Sequence, residues 1–125
     1  MKNYRGIIIE NSVSDDVLRI LNPYVVNVHY HRLDNKYDTN ILIVLVPENQ
    51  LLNILNRIKD NIKISYYAHF VFKNTMYVVF SNEICKLHRR DLDSIEFCKS
   101  RGRAHNIDNH LMKFEQMFEK DHPNE

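Results

Sequence analysis

Two stretches of uninterrupted aliphatic residues constrain this chain more than any other feature. Ile7-Ile8-Ile9 sits in a segment spanning residues 4–10, and Ile41-Leu42-Ile43-Val44-Leu45-Val46 in one spanning 40–46. Successive side chains of a strand point to opposite faces, so a strand apolar at every position has two faces to keep from water. Neither run approaches the length needed to cross a bilayer as a helix. Both therefore read as inner strands of a sheet that needs cover in front and behind.

The remaining segments supply the other layers. Ser12, three residues before Asp15, reads as a capping-box start, and Asp15 and Asp16 suit a helix N-terminus. Val13, Val17, Leu18 and Leu21 share one face of that helix, which Asn22-Pro23 ends. Residues 24–32 alternate, with Val26, Val28 and Tyr30 on one side and Asn27, His29 and His31 on the other. Pro47-Glu48 opens a second helix whose stripe is Leu51, Leu52, Ile54, Leu55 and Ile58. Residues 64–72 and 76–81 form a hairpin about a Lys73-Asn74-Thr75 turn, and residues 84–88 add a sixth strand. Asp91 caps a helix running to about residue 101, closed by Gly102. Ile107, Leu111, Phe114 and Phe118 are spaced as an amphipathic helix over 105–119, leaving 120–125 as a frayed tail.

This order predicts an α+β fold: a ferredoxin-like βαββαβ plait extended by a β-hairpin, with two C-terminal helices. It is read as one domain, 1–125, with residues 1–104 as the α+β core. Plait helices cover one face of the sheet only. The second face must be covered by the C-terminal helix or by a second copy of the chain, and a homodimer is expected.

Composition narrows the class further. A chain of 125 residues buries about two-thirds of its unfolded surface and needs no disulfide or metal to fold. With 44% apolar and 26% charged residues it is not a disordered tail. The formal net charge of +1 exerts no global pull toward nucleic acid or membrane. Met1-Lys2-Asn3 leads into a strand-like segment without a signal core, so the expected location is cytoplasmic, with no membrane association. Cys85 and Cys98 lack metal-type spacing and read as reduced thiols in or near the core, with a single cross-link between them left open. The wealth of Asn and Ile resembles translation from an AT-rich genome, as in a low-GC bacterium or its phage.

Several of these segments also resemble a group of small bacterial proteins of unassigned activity. Their pattern is roughly Y-R-G-x-I-I-E, then a W-Y-A-D-F-K-N hairpin strand, Y-I-I-F and K-V-F-K-x-D-R. The counterparts here are Tyr4-Arg5-Gly6-Ile7-Ile8-Ile9-Glu10, Tyr66-Tyr67-Ala68-His69-Phe70, Lys73-Asn74, Tyr77-Val78-Val79-Phe80 and Ile84-Cys85-Lys86-Leu87-His88-Arg89. The chain departs from the pattern at His69, where an acidic residue is expected, and in the extra Val71-Phe72. The resemblance implies a fold and no activity.

The chemistry-bearing residues form two groups. His29 and His31, two apart on one strand face, with Tyr67 and His69 on the hairpin strand, make a candidate sheet-face binding set. Imidazoles so spaced can ligate a metal or serve as acid and base toward a phosphoester. In plait order, however, the two strands lie roughly 14 Å apart, so no metal and no cofactor are expected within one subunit. Lys86, Arg89, Arg90, Arg101 and Arg103 form a candidate basic strip, with Tyr66, Tyr67 and Tyr77 nearby for stacking on single-stranded nucleic acid. Glu10, Asp15 and Asp16 are explained by helix capping. The sequence has no phosphate-cradling Gly-rich loop, nucleophile elbow, paired CxxC or HExxH, and only two glycines from which to build a nucleotide loop. The expected function is a small, non-catalytic, self-associating binding or regulatory module whose partner the sequence does not identify, a protein partner being one option. Nucleic-acid binding through the basic strip, and metal or phosphate chemistry on the sheet histidines, are the alternatives.

Overall fold

The computed structural model describes residues 2–33 and 37–121, with the side chains of residues 31–33 and 37–38 outside the described set. Strand β1 (Asn3–Ile9) lies between β3 (Tyr37–Pro47) and β4 (Ala68–Phe72), antiparallel to both. Outside β3 runs β2 (Val25–Leu33), and beyond β4 come β5 (Thr75–Phe80) and β6 (Glu83–His88). The result is a six-stranded antiparallel sheet in the order β2-β3-β1-β4-β5-β6, in an α+β fold. This order departs from a bare four-strand plait, because β4 is interior and β6 is the edge.

Helices α1 (Asp15–Leu21) and α2 (Glu48–Lys59) cover the front. Val17 and Leu21 of α1 and Leu51, Ile54, Leu55 and Ile58 of α2 pack on Tyr4, Ile8, Val44, Val46 and Phe70. At the centre of this face Gly6 stands opposite Phe70 across β1 and β4. A Cβ on Gly6 would lie 2.2 Å from the Phe70 ring and 2.8 Å from Val44. Only the missing side chain lets the ring lie across β1.

The rear is covered in a different way. Helix α3 (Leu92–Ala104) sets Ile95 and Cys98 against Met76, Val78, Phe80, Cys85 and Leu87. Ile107, Met112, Phe114 and Met117 complete that second core. Behind β1 and β3, Ile7, Ile41 and Ile43 form a third cluster, exposed by only 7, 6 and 2%. The back of the two inner strands is therefore already buried within one subunit, although Leu45 remains 37% exposed.

Four local expectations are corrected. The cap of α1 is Ser14, whose hydroxyl accepts from Val17 N–H at 3.4 Å, while Ser12 is buried and donates to the Ile9 carbonyl. The strand expected over 64–72 begins only at Ala68, since Ser65 takes a φ of 75° and Ile64 is exposed. Gly102 lies inside α3, where a Cβ would sit 2.2 Å from Met112 Sδ, and its value is close approach. The left-handed residue that ends the helix is Asn106, φ 63°, with Asn106 N–H bonded to Arg103 and Ile107 N–H to the Gly102 carbonyl, each at 3.0 Å.

The fourth correction concerns residues 105–119. They form no α-helix but carry two 3-10 turns, Asn109–Leu111 and Phe114–Gln116. The side chains inserted into the core are Ile107, Met112, Phe114 and Met117, whose spacing has no 3.6-residue period. Of the expected frayed tail, Asp121 is held by a bidentate pair with Arg5, at 2.7 Å to each oxygen, and residues 122–125 lie outside the described residues.

Candidate functional site

β2 is the outermost strand beside β3, nine residues long, with a bulge between Val25 and Asn27. From Val25 to Tyr30 it carries no charged side chain. Val26, Val28 and Tyr30, expected to alternate with polar neighbours, are 54, 51 and 59% exposed. Asn27 Oδ1 accepts from Val28 N–H at 2.9 Å. Edge strands usually carry lysine, proline, bulges or inward charges, because their unpaired amides and carbonyls accept another strand. The bulge and the Asn27 latch are modest protection.

The sheet-face set is not brought together. His29 lies on β2 opposite Ile41, and His69 on β4 opposite Ile7, with β3 and β1 between them. Three strand spacings amount to roughly 14 Å. His31 is in β2 opposite Thr39, but its side chain falls outside the described residues. His69 is buried, 6.3 Å from the Tyr67 ring centroid. Tyr67 itself holds the C-terminal segment: its hydroxyl donates to the Leu111 carbonyl, and its ring meets Phe114 edge-on at 5.6 Å. Among the described residues no group of three or more His, Cys, Asp or Glu side chains is placed to hold a metal ion.

The basic residues are divided between faces and partners. Lys86 points forward and lies over the Tyr77 ring at 5.6 Å. Arg89 pairs with Glu119 and lies over Phe118 at 5.8 Å. Arg101, on α3 behind the sheet, reaches Glu83 through Nε at 2.8 and 3.0 Å. Arg103 donates to Asn109 Oδ1 at 2.8 Å, and Arg90 occupies a left-handed turn before α3 with φ 77°. Lys86 and Arg101 thus lie on opposite sides of the sheet.

Around Glu83 the structure gathers a group that sequence spacing did not show. Its carboxylate also takes His105 Nε2 at 2.9 Å, and the His105 ring stacks on Phe80, centroids 5.2 Å apart. The Arg101 hydrogen bond, reinforced by the one from His105, holds the Glu83 carboxyl below the usual carboxylate range. Two residues further along the same face of β6, Cys85 lies in the same buried cluster as Cys98 of α3. The Cys98 thiol, and more weakly Arg101, lower Cys85 against the opposing effects of burial and the Glu83 carboxylate, while the Cys85 thiol and burial push Cys98 up. Both thiols are buried and free.

A cleft of about 490 Å³ opens behind β1 and β4, with Ile7, His69, Val71, Met117 and Phe118 among its lining residues. The Arg5–Asp121 pair stands at its rim, so two of its charges cancel. No helix among the described residues is long and apolar enough to cross a membrane. No family model matches the chain, and comparison with curated proteins and with solved structures gave no match either.

Proposed function

We propose that this chain is a small, non-catalytic cytoplasmic binding module that self-associates by pairing β2 with β2 of a second copy. The observation that carries the reading is the row of exposed, uncharged side chains, Val26, Val28 and Tyr30, on a nine-residue edge strand. Antiparallel pairing of two identical edges is isologous and closes on itself, which suits a two-fold dimer. It would continue the hydrogen-bond ladder and bury these side chains against their counterparts. A protein partner offering an extended segment would use the same edge. The buried back of β1 and β3 no longer calls for a second copy, and only the exposed β2 edge does.

The parent fold we infer is the ferredoxin-like plait, made of β1, α1, β2, β3, α2 and β4 and widened by β5 and β6. The nucleic-acid alternative draws less support, since Arg89 and Arg101 are engaged by Glu119 and Glu83. The histidine alternative draws less still, given the distance from His29 to His69.

Light scattering at micromolar concentration tests the reading. The expected mass is twice the 15.0 kDa of one chain. Val28→Lys, which places a charge on the edge, is expected to return it to one chain. A wild-type protein that stays monomeric through this range overturns the proposal.

A further inference from the structure

We propose that the front corner of the sheet at the β4–β5 turn binds single-stranded nucleic acid. Bases stack on Phe72 and Tyr77, and phosphates are held by Lys2, Lys73 and Lys86. Strand register builds the corner. Phe70 pairs with Tyr77 across β4 and β5, and Tyr77 with Lys86 across β5 and β6. Side chains two apart share a face, so Phe72 joins Phe70, Tyr77 and Lys86 on the front. Tyr4 of β1 is the buried floor, its ring centroid 5.6 Å from that of Phe72 and 5.9 Å from that of Tyr77. Phe72 and Tyr77 are only half-buried on that floor. As diagonal neighbours on adjacent strands they stand roughly 7–8 Å apart, one ring for each of two bases.

Three lysines from three separate segments converge on these rings. Lys2 Nζ lies 5.6 Å and Lys73 Nζ 5.4 Å from the Phe72 centroid, and Lys86 Nζ 5.6 Å from that of Tyr77. All three lysines are exposed, and none forms an ion pair among the described residues. Glu48 opens α2 beside Lys2, its N–H bonded to the Lys2 carbonyl at 3.0 Å. Lys73 sits at a φ of 52°, a left-handed turn position that glycine or asparagine fills at less cost. Single-stranded nucleic acid suits both halves of this corner. An exposed ammonium over a ring is a weaker contact than a base stacked on it. An arriving base therefore displaces the ammonium, and the freed lysine swings on its flexible stem to a phosphate oxygen. An acidic peptide would meet the lysines and leave the rings unused. The corner lies on β1, β4, β5 and β6, so it does not depend on self-association through β2. Of the basic strip read along the sequence it keeps Lys86 alone.

Fluorescence anisotropy of the full chain with a labelled oligothymidylate of about 12 nucleotides tests this. Saturable binding is expected, weakening about 20-fold as salt rises from roughly 50 to 200 mM, the dependence three phosphate contacts on a single strand produce. Lys86→Gln is expected to weaken binding and to reduce the slope of log affinity against log salt by about a third. Tyr77→Leu removes a stacking face and no charge. It is expected to weaken binding at least ~5-fold at every salt concentration, with the slope unchanged. Should that variant not fold, competition on the wild-type chain decides: an abasic strand of the same length is expected to compete at least ~5-fold more weakly than the oligothymidylate. Equal competition by the abasic strand or by polyglutamate, or no binding at the lower salt, overturns the proposal.

Discussion

β2 and β6 both end the same sheet, yet they are finished in different ways. β6 is six residues long and alternates inward Cys85 and Leu87 with outward Lys86 and His88. Its end is closed from above by α3: His88 N–H donates to Ser94 Oγ at 3.2 Å, and Arg101 crosses to Glu83. β2 is half as long again, with exposed valines and a tyrosine and the Asn27 latch. The contrast teaches that alternation alone does not identify the inward side of an edge strand. At β6 a helix covers the pattern, whereas at β2 the larger apolar side chains stand in solvent.

The strongest way to break the contrast is to remove what closes the β6 half. Phe114 is fully buried against Tyr67 and the rear core, and Phe114→Ala is expected to cost about 3–5 kcal/mol in denaturant unfolding. A cost under ~1 kcal/mol would mean that the segment after α3 does not hold the rear shut. Tyr67→Phe keeps the ring and deletes the hydroxyl that meets the Leu111 carbonyl; about 1 kcal/mol is expected.

Glu83→Gln probes the margin of the same half through pH. Arg101 first, then His105, holds the folded Glu83 carboxyl below its unfolded value. Its stabilisation is therefore complete above the unfolded carboxylate range and fades as pH falls through the folded value. In Gln, the drop in stability below about pH 4.3 should be shallower, and unfolding midpoints across this range check it. The smallest effect on folding is expected at the other edge. Val28→Lys should change monomer stability by less than ~0.5 kcal/mol while abolishing self-association. A large loss of stability there would place Val28 in the core and remove the contrast.

What the sequence made legible were patterns carried by neighbours along the chain. The stripe Leu51, Ile54, Leu55, Ile58 gave α2, the twin aliphatic runs gave β1 and β3, and Asp91 marked the start of α3, where its carboxylate accepts from Ser94 N–H. Residues 105–119 misled because Ile107, Leu111, Phe114 and Phe118 happen to keep helical spacing. What decides that segment is tertiary: Asn106 turns left-handed, Met112 drops over Gly102, and Tyr67 takes the Leu111 carbonyl. The site residues followed the same division. In the observed sheet two strands separate His29 from His69, with β4 interior where the plait reading put it at an edge, and nothing local placed both Arg101 and His105 on Glu83.

The socket at Gly6 has a further consequence for how the sheet chooses its alignment. Sliding β4 by one position along β1 would bring the Phe70 ring opposite Arg5 or Ile7 and turn it toward the wrong face. A benzyl group that fits at one notch and collides at the next works as a key in a lock. By that key the chain disfavours a shifted β1–β4 pairing, using an atom it lacks.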